Sequence, residues 1–127
     1  MWYSYAIVRV VPRVERGEFL NAGVVLFSPE EDFLGARFEV DAERLRSLAA
    51  EVDLAAVERH LATFKAICNG EAAGGPIAAL PRADRFHWLV APRSTMIQTS
   101  PVHVGRSQDP ARALEDLLTE FVRPVTR

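Results

Sequence analysis

The sequence predicts an α+β fold: a mostly antiparallel sheet of about five strands, in the order β-β-β-α-α-β-β-α, with helices packed on one face. Three observations predict it. Residues 3–40 contain three extended runs in which apolar side chains alternate, and each run ends at a proline or a polar break. Leu54, Val57, Leu61, Phe64 and Cys68 recur at steps of three and four, the spacing of one helix face. A second such stripe follows Asp109-Pro110, after two further extended runs.

The first strand runs from Tyr3 to Val11 and stops at Pro12, which has no N–H for a central ladder. The second, Glu18 to Ser28, places Leu20, Ala22, Val24 and Leu26 on one side and Phe19, Asn21, Gly23, Val25 and Phe27 on the other. Bulky apolar residues on both sides make this strand central and require its second face to be at least partly covered. Pro29-Glu30-Glu31-Asp32 turns the chain into a third strand, in which Leu34, Ala36, Phe38 and Val40 alternate with Phe33, Gly35, Arg37 and Glu39.

Asp41 is the expected N-cap of a short helix with Leu45, Leu48 and Val52 on its inner side. The longer helix after Asp53 is expected to stop at Asn69-Gly70. Residues 70–85, with Gly70, Gly74, Gly75, Pro76 and Pro81, read as a linker crossing the sheet. Phe86–Ala91 and Met96–Val104 read as a hairpin joined by Pro92-Arg93-Ser94-Thr95, and Pro101 makes the second run an edge strand or bends it. The last helix buries Leu114, Leu117, Leu118, Phe121 and Val122 and ends at Pro124.

At 127 residues, 49% hydrophobic and 25% charged, the chain is sized for one domain spanning 1–127 with its own core. A net charge of −2 argues against general nucleic-acid binding, which needs a basic excess to displace counterions. Lys65 is the only lysine, so the positive charge consists almost wholly of guanidinium groups, which suit carboxylate or phosphate recognition unless the excess is only the compositional bias of a chain also rich in Ala, Val and Leu. Cys68 is the only cysteine, which rules out an intrachain disulfide and a thiolate metal cluster and fits a reducing compartment. The N-terminal residues lack a basic region followed by a long apolar run, and no segment reaches the ~20 apolar residues of a membrane span. The expectation is a cytoplasmic protein with no membrane contact. No histidine stands at ligand spacing from a carboxylate, so neither a metal nor another cofactor is expected.

Two clusters stand out. Arg16-Gly17-Glu18-Phe19-Leu20-Asn21-Ala22-Gly23 puts Asn and Gly into a Val- and Leu-rich strand; Asn21 and Gly23 fall on one side, where the missing Cβ admits a ligand or another backbone, unless a β-bulge intervenes. Thr99-Ser100-Pro101-Val102-His103-Val104-Gly105-Arg106 precedes the last helix, whose first-turn amides, with Gly105, Arg106 and Ser107, suit an anion unless Asp109 caps them itself. Ser100, His103 and Asp109 match no nucleophile-elbow spacing, so no catalytic residue is assigned.

Together with Tyr3-Ser4-Tyr5 and Arg9, these clusters resemble a bacterial family catalogued as domain of unknown function 3037, over nearly the whole chain; the Gly-Glu-Phe-x-Asn-x-Gly-Val run is its distinctive part. The resemblance implies no activity. It does imply a protein partner, a kinase-fold protein similar to the HipA toxin.

The leading expectation is therefore an accessory or partner-binding module rather than an enzyme. It would use the second face of strand two, where Phe19, Val25 and Phe27 flank Asn21 and Gly23. The alternative is an arginine-lined site for an anionic small molecule, a phosphorylated metabolite or a nucleic-acid end. Arg9, Arg16 and Arg106 would line it, with Glu18, Asn21, Gly23, Ser100, His103 and Gly105 alongside. A flat apolar patch would favour the first reading and a concave pocket joining both clusters the second.

Overall fold

The computed structural model describes residues 1–125. Five strands, β1 (Trp2–Val10), β2 (Leu20–Ser28), β3 (Phe33–Phe38), β4 (Ile97–Thr99) and β5 (His103–Arg106), form one antiparallel sheet in the order β3-β2-β1, with β4 and β5 both paired to the free side of β1. Among the described residues four helices accompany it: α1 (Ala42–Leu48), α2 (Leu54–Asn69), α3 (Arg82–Leu89) and α4 (Pro110–Phe121). The α+β class, the antiparallel sheet and the central place of β2 are as the sequence predicts. Pro101 marks the bend between β4 and β5, so one extended run becomes two short edge strands.

Alternation along β1 and β2 builds two cores. Ala6, Val8 and Val10, with Leu20, Ala22 and Val25, pack against Leu45 of α1, Val57, Leu61, Phe64 and Ile67 of α2, and Phe86 and Leu89 of α3. Tyr3, Ile7, Val24 and Leu26 pack on the other side against Leu114, Leu117 and Leu118 of α4 and the following Val122. The one-sided helix layer thus holds for α1 to α3, whereas α4 supplies the cover that the second face of β2 requires.

The caps follow local chemistry. Asp41, Asp53 and Asp109 each accept a hydrogen bond from a first-turn amide of the helix they precede. Gly70 closes α2 in the left-handed region at φ 70°, where a side chain would also run into Arg85. The buried guanidinium of Arg85 donates to Ala78 O at 3.2 Å and lies beside that helix end, where a cation is favoured.

Two expectations need correction. Residues 86–89 belong to helix α3 and 90–91 to the turn that follows it, rather than to a strand, and no hairpin spans 92–95. Phe86, Trp88 and Val90 imitate strand alternation, but the buried residues are Arg85, Phe86 and Leu89, which share a helix face. The run is also too short for periodicity alone to separate strand from helix. The 70–85 stretch is no structureless linker either: Ala72–Gly74 and Pro76–Ala79 form 3₁₀ turns that pack on α2, ahead of Pro81 at the N-cap of α3.

Outside α4, Arg123 binds Glu39 with its Nε and Nη2 and Glu115 with its Nη1, and Arg37 also pairs with Glu115. Hydrogen bonding from Arg123, more than charge alone, holds both carboxyls below their ordinary range. Depressed carboxyls contribute stability above their unfolded values and lose it as pH falls through the folded ones. The stability deficit of Arg123→Gln, measured by urea melts at neutral pH, should therefore shrink as pH falls from about 5 to about 2. A constant deficit would show that Arg123 acts through packing.

Burial pushes the Cys68 thiol up to about 12, with Arg85 and Lys65 opposing the rise weakly. A native-state thiol reagent should therefore label Cys68 only at the rate of unfolding. Labelling within seconds at neutral pH would contradict its place in the core.

Candidate functional site

A β-bulge decides where the first cluster points. Val8 pairs with Gly23 but Arg9 pairs with Asn21, leaving Ala22 as the extra residue of β2. Asn21 and Gly23 therefore face opposite ways, against the simple alternation. Gly23 sits in the core under β3: a Cβ there would run into Phe38 Cδ1 and lie 2.5 Å from Arg37 O. The backbone that the missing side chain admits is that of β3. Val25 is fully buried and Phe27 stacks on Phe86 with ring centroids 5.4 Å apart, so the expected patch of Phe19, Val25 and Phe27 does not exist as a surface.

Asn21 instead stands across from Arg9 on the α4 side of the sheet. Its Nδ2 donates to Phe121 O at 3.0 Å, tying the end of α4 to β2. The guanidinium of Arg9 lies 4.1 Å from the centroid of the Phe19 ring. Phe121 stacks on Tyr5 at 6.2 Å, and Tyr5 meets His103 of β5 at 5.6 Å. Arg9, Phe19, Asn21, Phe121, Tyr5 and His103 thus form one continuous polar and aromatic surface around the C-terminal end of α4. Within it, Arg9 Nε and Asn21 Oδ1, a donor and an acceptor on facing residues, are buried without hydrogen-bond partners.

The other candidates lie elsewhere or have structural partners. Arg16 and Glu18 pair with each other at 2.5 Å on the exposed turn before β2. Ser100 is buried; its Oγ accepts from Ile7 N at 2.8 Å and donates to Pro101 O at 2.9 Å, which keeps β1 bonded through the bend at Pro101. Gly105 faces Tyr3, whose phenol would lie 2.5 Å from an added Cβ. Burial, then Tyr5, Glu120 and Asp116, push that phenol up. Arg106 lies across from Trp2 with its guanidinium 4.8 Å from the indole. Trp2 and Arg9 are seven residues apart along β1, roughly 23 Å in a strand, so Arg106 and Arg9 do not converge on one small ligand. The first amides of α4 are taken by Asp109.

Sequence reasoning misses a groove of about 530 Å³ on the α2 side, lined by His60, Phe64, Ile67, Trp88, Arg93 and Met96 among others. It joins neither cluster. A strand reading of residues 86–91 hides it, although a Trp close ahead of an Arg-Ser-Thr loop is a usable signal. Among the described residues, no three His, Cys, Asp or Glu side chains are grouped to hold a metal ion.

Ser100→Ala should cost ~1–3 kcal/mol, because it leaves the buried Ile7 amide without an acceptor, whereas Arg106→Ala on the exposed strand should stay within ~0.5 kcal/mol. Urea midpoints at unchanged slope would read both, and equal losses would contradict the assignment of Ser100 as a ladder residue.

No curated protein and no solved structure matches the chain significantly. The family model described as a protein of unknown function, DUF3037, matches residues 5–122 of the 127, a span that holds the four helices and nearly all of the sheet and the aromatic surface. The chain belongs to the DUF3037 family.

Proposed function

We propose that this protein is an accessory module that binds a protein partner through the surface formed by Arg9, Phe19, Asn21, Phe121, Tyr5 and His103. The observation that carries the reading is an exposed pair of aromatic rings, Phe19 and Phe121, with the Arg9 guanidinium lying over the first of them. Phe19 and Phe121 are 45% and 37% exposed, and aromatic residues with arginine dominate the energetic centres of protein interfaces.

The partner we put forward is the HipA-like kinase-fold protein that the family resemblance suggests. Joint anion binding by Arg9, Arg16 and Arg106 has less support, since Arg16 is paired with Glu18 and each of the other two lies over an aromatic ring.

Calorimetric titration of the chain into the HipA-like protein tests the reading. Phe19→Ala and Arg9→Ala should each weaken binding by about thirtyfold, the effect of losing a residue worth ~2 kcal/mol at an interface centre, with the fold intact by circular dichroism. Unchanged affinity in both folded variants would remove this surface from the interface. No binding by the parent chain would remove the proposed partner.

A further inference from the structure

The groove on the other side of the sheet carries an independent inference. Its floor is Phe64 and Ile67 of α2, its walls are Trp88, Met96 and Ile97, and its rim holds His60, Thr63, Arg93 and Thr95. Among the described residues, no carboxylate lines it. A volume of about 530 Å³ lies within the roughly 300–1,000 Å³ of small-molecule sites, which are mostly apolar with a few polar groups that fix orientation.

Arg93 is the distinctive group. Its guanidinium lies 4.4 Å from the Trp88 ring centroid and donates to Trp88 O. Unlike Arg13, Arg16, Arg37, Arg82 and Arg123, it has no acidic partner among the described residues. The other polar rim groups are partly committed: Thr63 donates to Arg59 O and Thr95 to Ile97 O. Partial burial also works against the charged form of Arg93, and a bound anion would relieve that penalty.

We propose that this groove binds a small apolar monocarboxylate, with its acyl or aryl body between Phe64, Ile67, Trp88 and Met96 and its carboxylate on the free N–H groups of Arg93. The chemistry follows from complementarity. A single unpaired guanidinium beside apolar walls matches one anionic head on an apolar body, and a phosphate with a sugar would leave those walls facing polar groups.

Decanoate and 4-phenylbutyrate serve as probes. Trp88 reports as the sole tryptophan once Trp2, on β1 and away from the groove, is changed to Phe. Saturable fluorescence change is expected with one or both carboxylates below about 1 mM, and decanol should bind at least about tenfold more weakly than decanoate, since hydrogen bonds to charged groups are worth that much. Arg93→Gln should remove the preference for decanoate over decanol, whereas Arg93→Lys should keep part of it. Thr63→Phe, an exposed substitution at the rim that adds no second tryptophan, should block both probes and covers the case in which an Arg93 variant fails to fold. Equal binding of decanoate and decanol by the parent protein would overturn the proposal, as would no saturable change with either carboxylate. Tighter binding of an acetylated peptide ending in Phe would also overturn it, by showing a protein C-terminus to be the occupant.

Discussion

The extra residue at Ala22 fixes which side chains of β2 reach which layer, and both the core and the aromatic surface around the end of α4 depend on it. After the bulge, Gly23, Val25 and Phe27 face α2 and α3, while Val24 and Leu26 face α4. Before it, Asn21 turns toward α4 and stands against Arg9. Without the bulge, a period of two would carry Asn21 into the larger core or expel Val25 from it, since a one-residue slip moves every side chain to the opposite face. Gly23 makes the bulge compatible with β3, because the Phe38 ring and the Arg37 carbonyl occupy the space of its missing Cβ.

What can be read from the sequence follows from how local each signal is. Aspartate caps at 41, 53 and 109, the stripe from Val57 to Cys68 and the Gly70 stop all depend on neighbours within a turn or two, and each stands where expected. Helix α3 escapes sequence reading because its eight residues are too few for the helical period to outweigh a chance alternation of Phe86, Trp88 and Val90. The bulge is a cross-strand property: it is an option at Asn21-Ala22-Gly23 that only pairing with Val8 and Arg9 decides. The site shares this limit. Tyr5, Arg9, Phe19, Asn21 and His103 all stand out in the sequence, yet Phe121, which links Asn21 to Tyr5, reads there as a core position of the last helix.

The strong preference for arginine over lysine also acquires a physical reason. Arg9, Arg93 and Arg106 lie over Phe19, Trp88 and Trp2, an arrangement that suits a planar, weakly hydrated guanidinium better than a compact ammonium. Arg123 engages two carboxylates and Thr119 at once, which uses the fork geometry that lysine lacks. Arginine content that reads from composition alone as anion recognition is thus spent at several positions on aromatic stacking and surface networks.

The two surfaces meet at β4, where alternation sends neighbouring residues to opposite sides: Ile97 lines the groove, and Gln98 stands across from Arg9. A strand of three residues at a sheet edge is a weak element by itself. Here it is held at both ends, by Val11 N donating to Met96 O at 2.7 Å and by the reciprocal bonds between Ser100 and Ile7 at 2.8 Å. Those clamps tie β4 to β1 at both of its ends. The aromatic surface and the groove thus share one short strand, and its backbone bonds to Val11 and Ile7 set where Ile97 and Gln98 point.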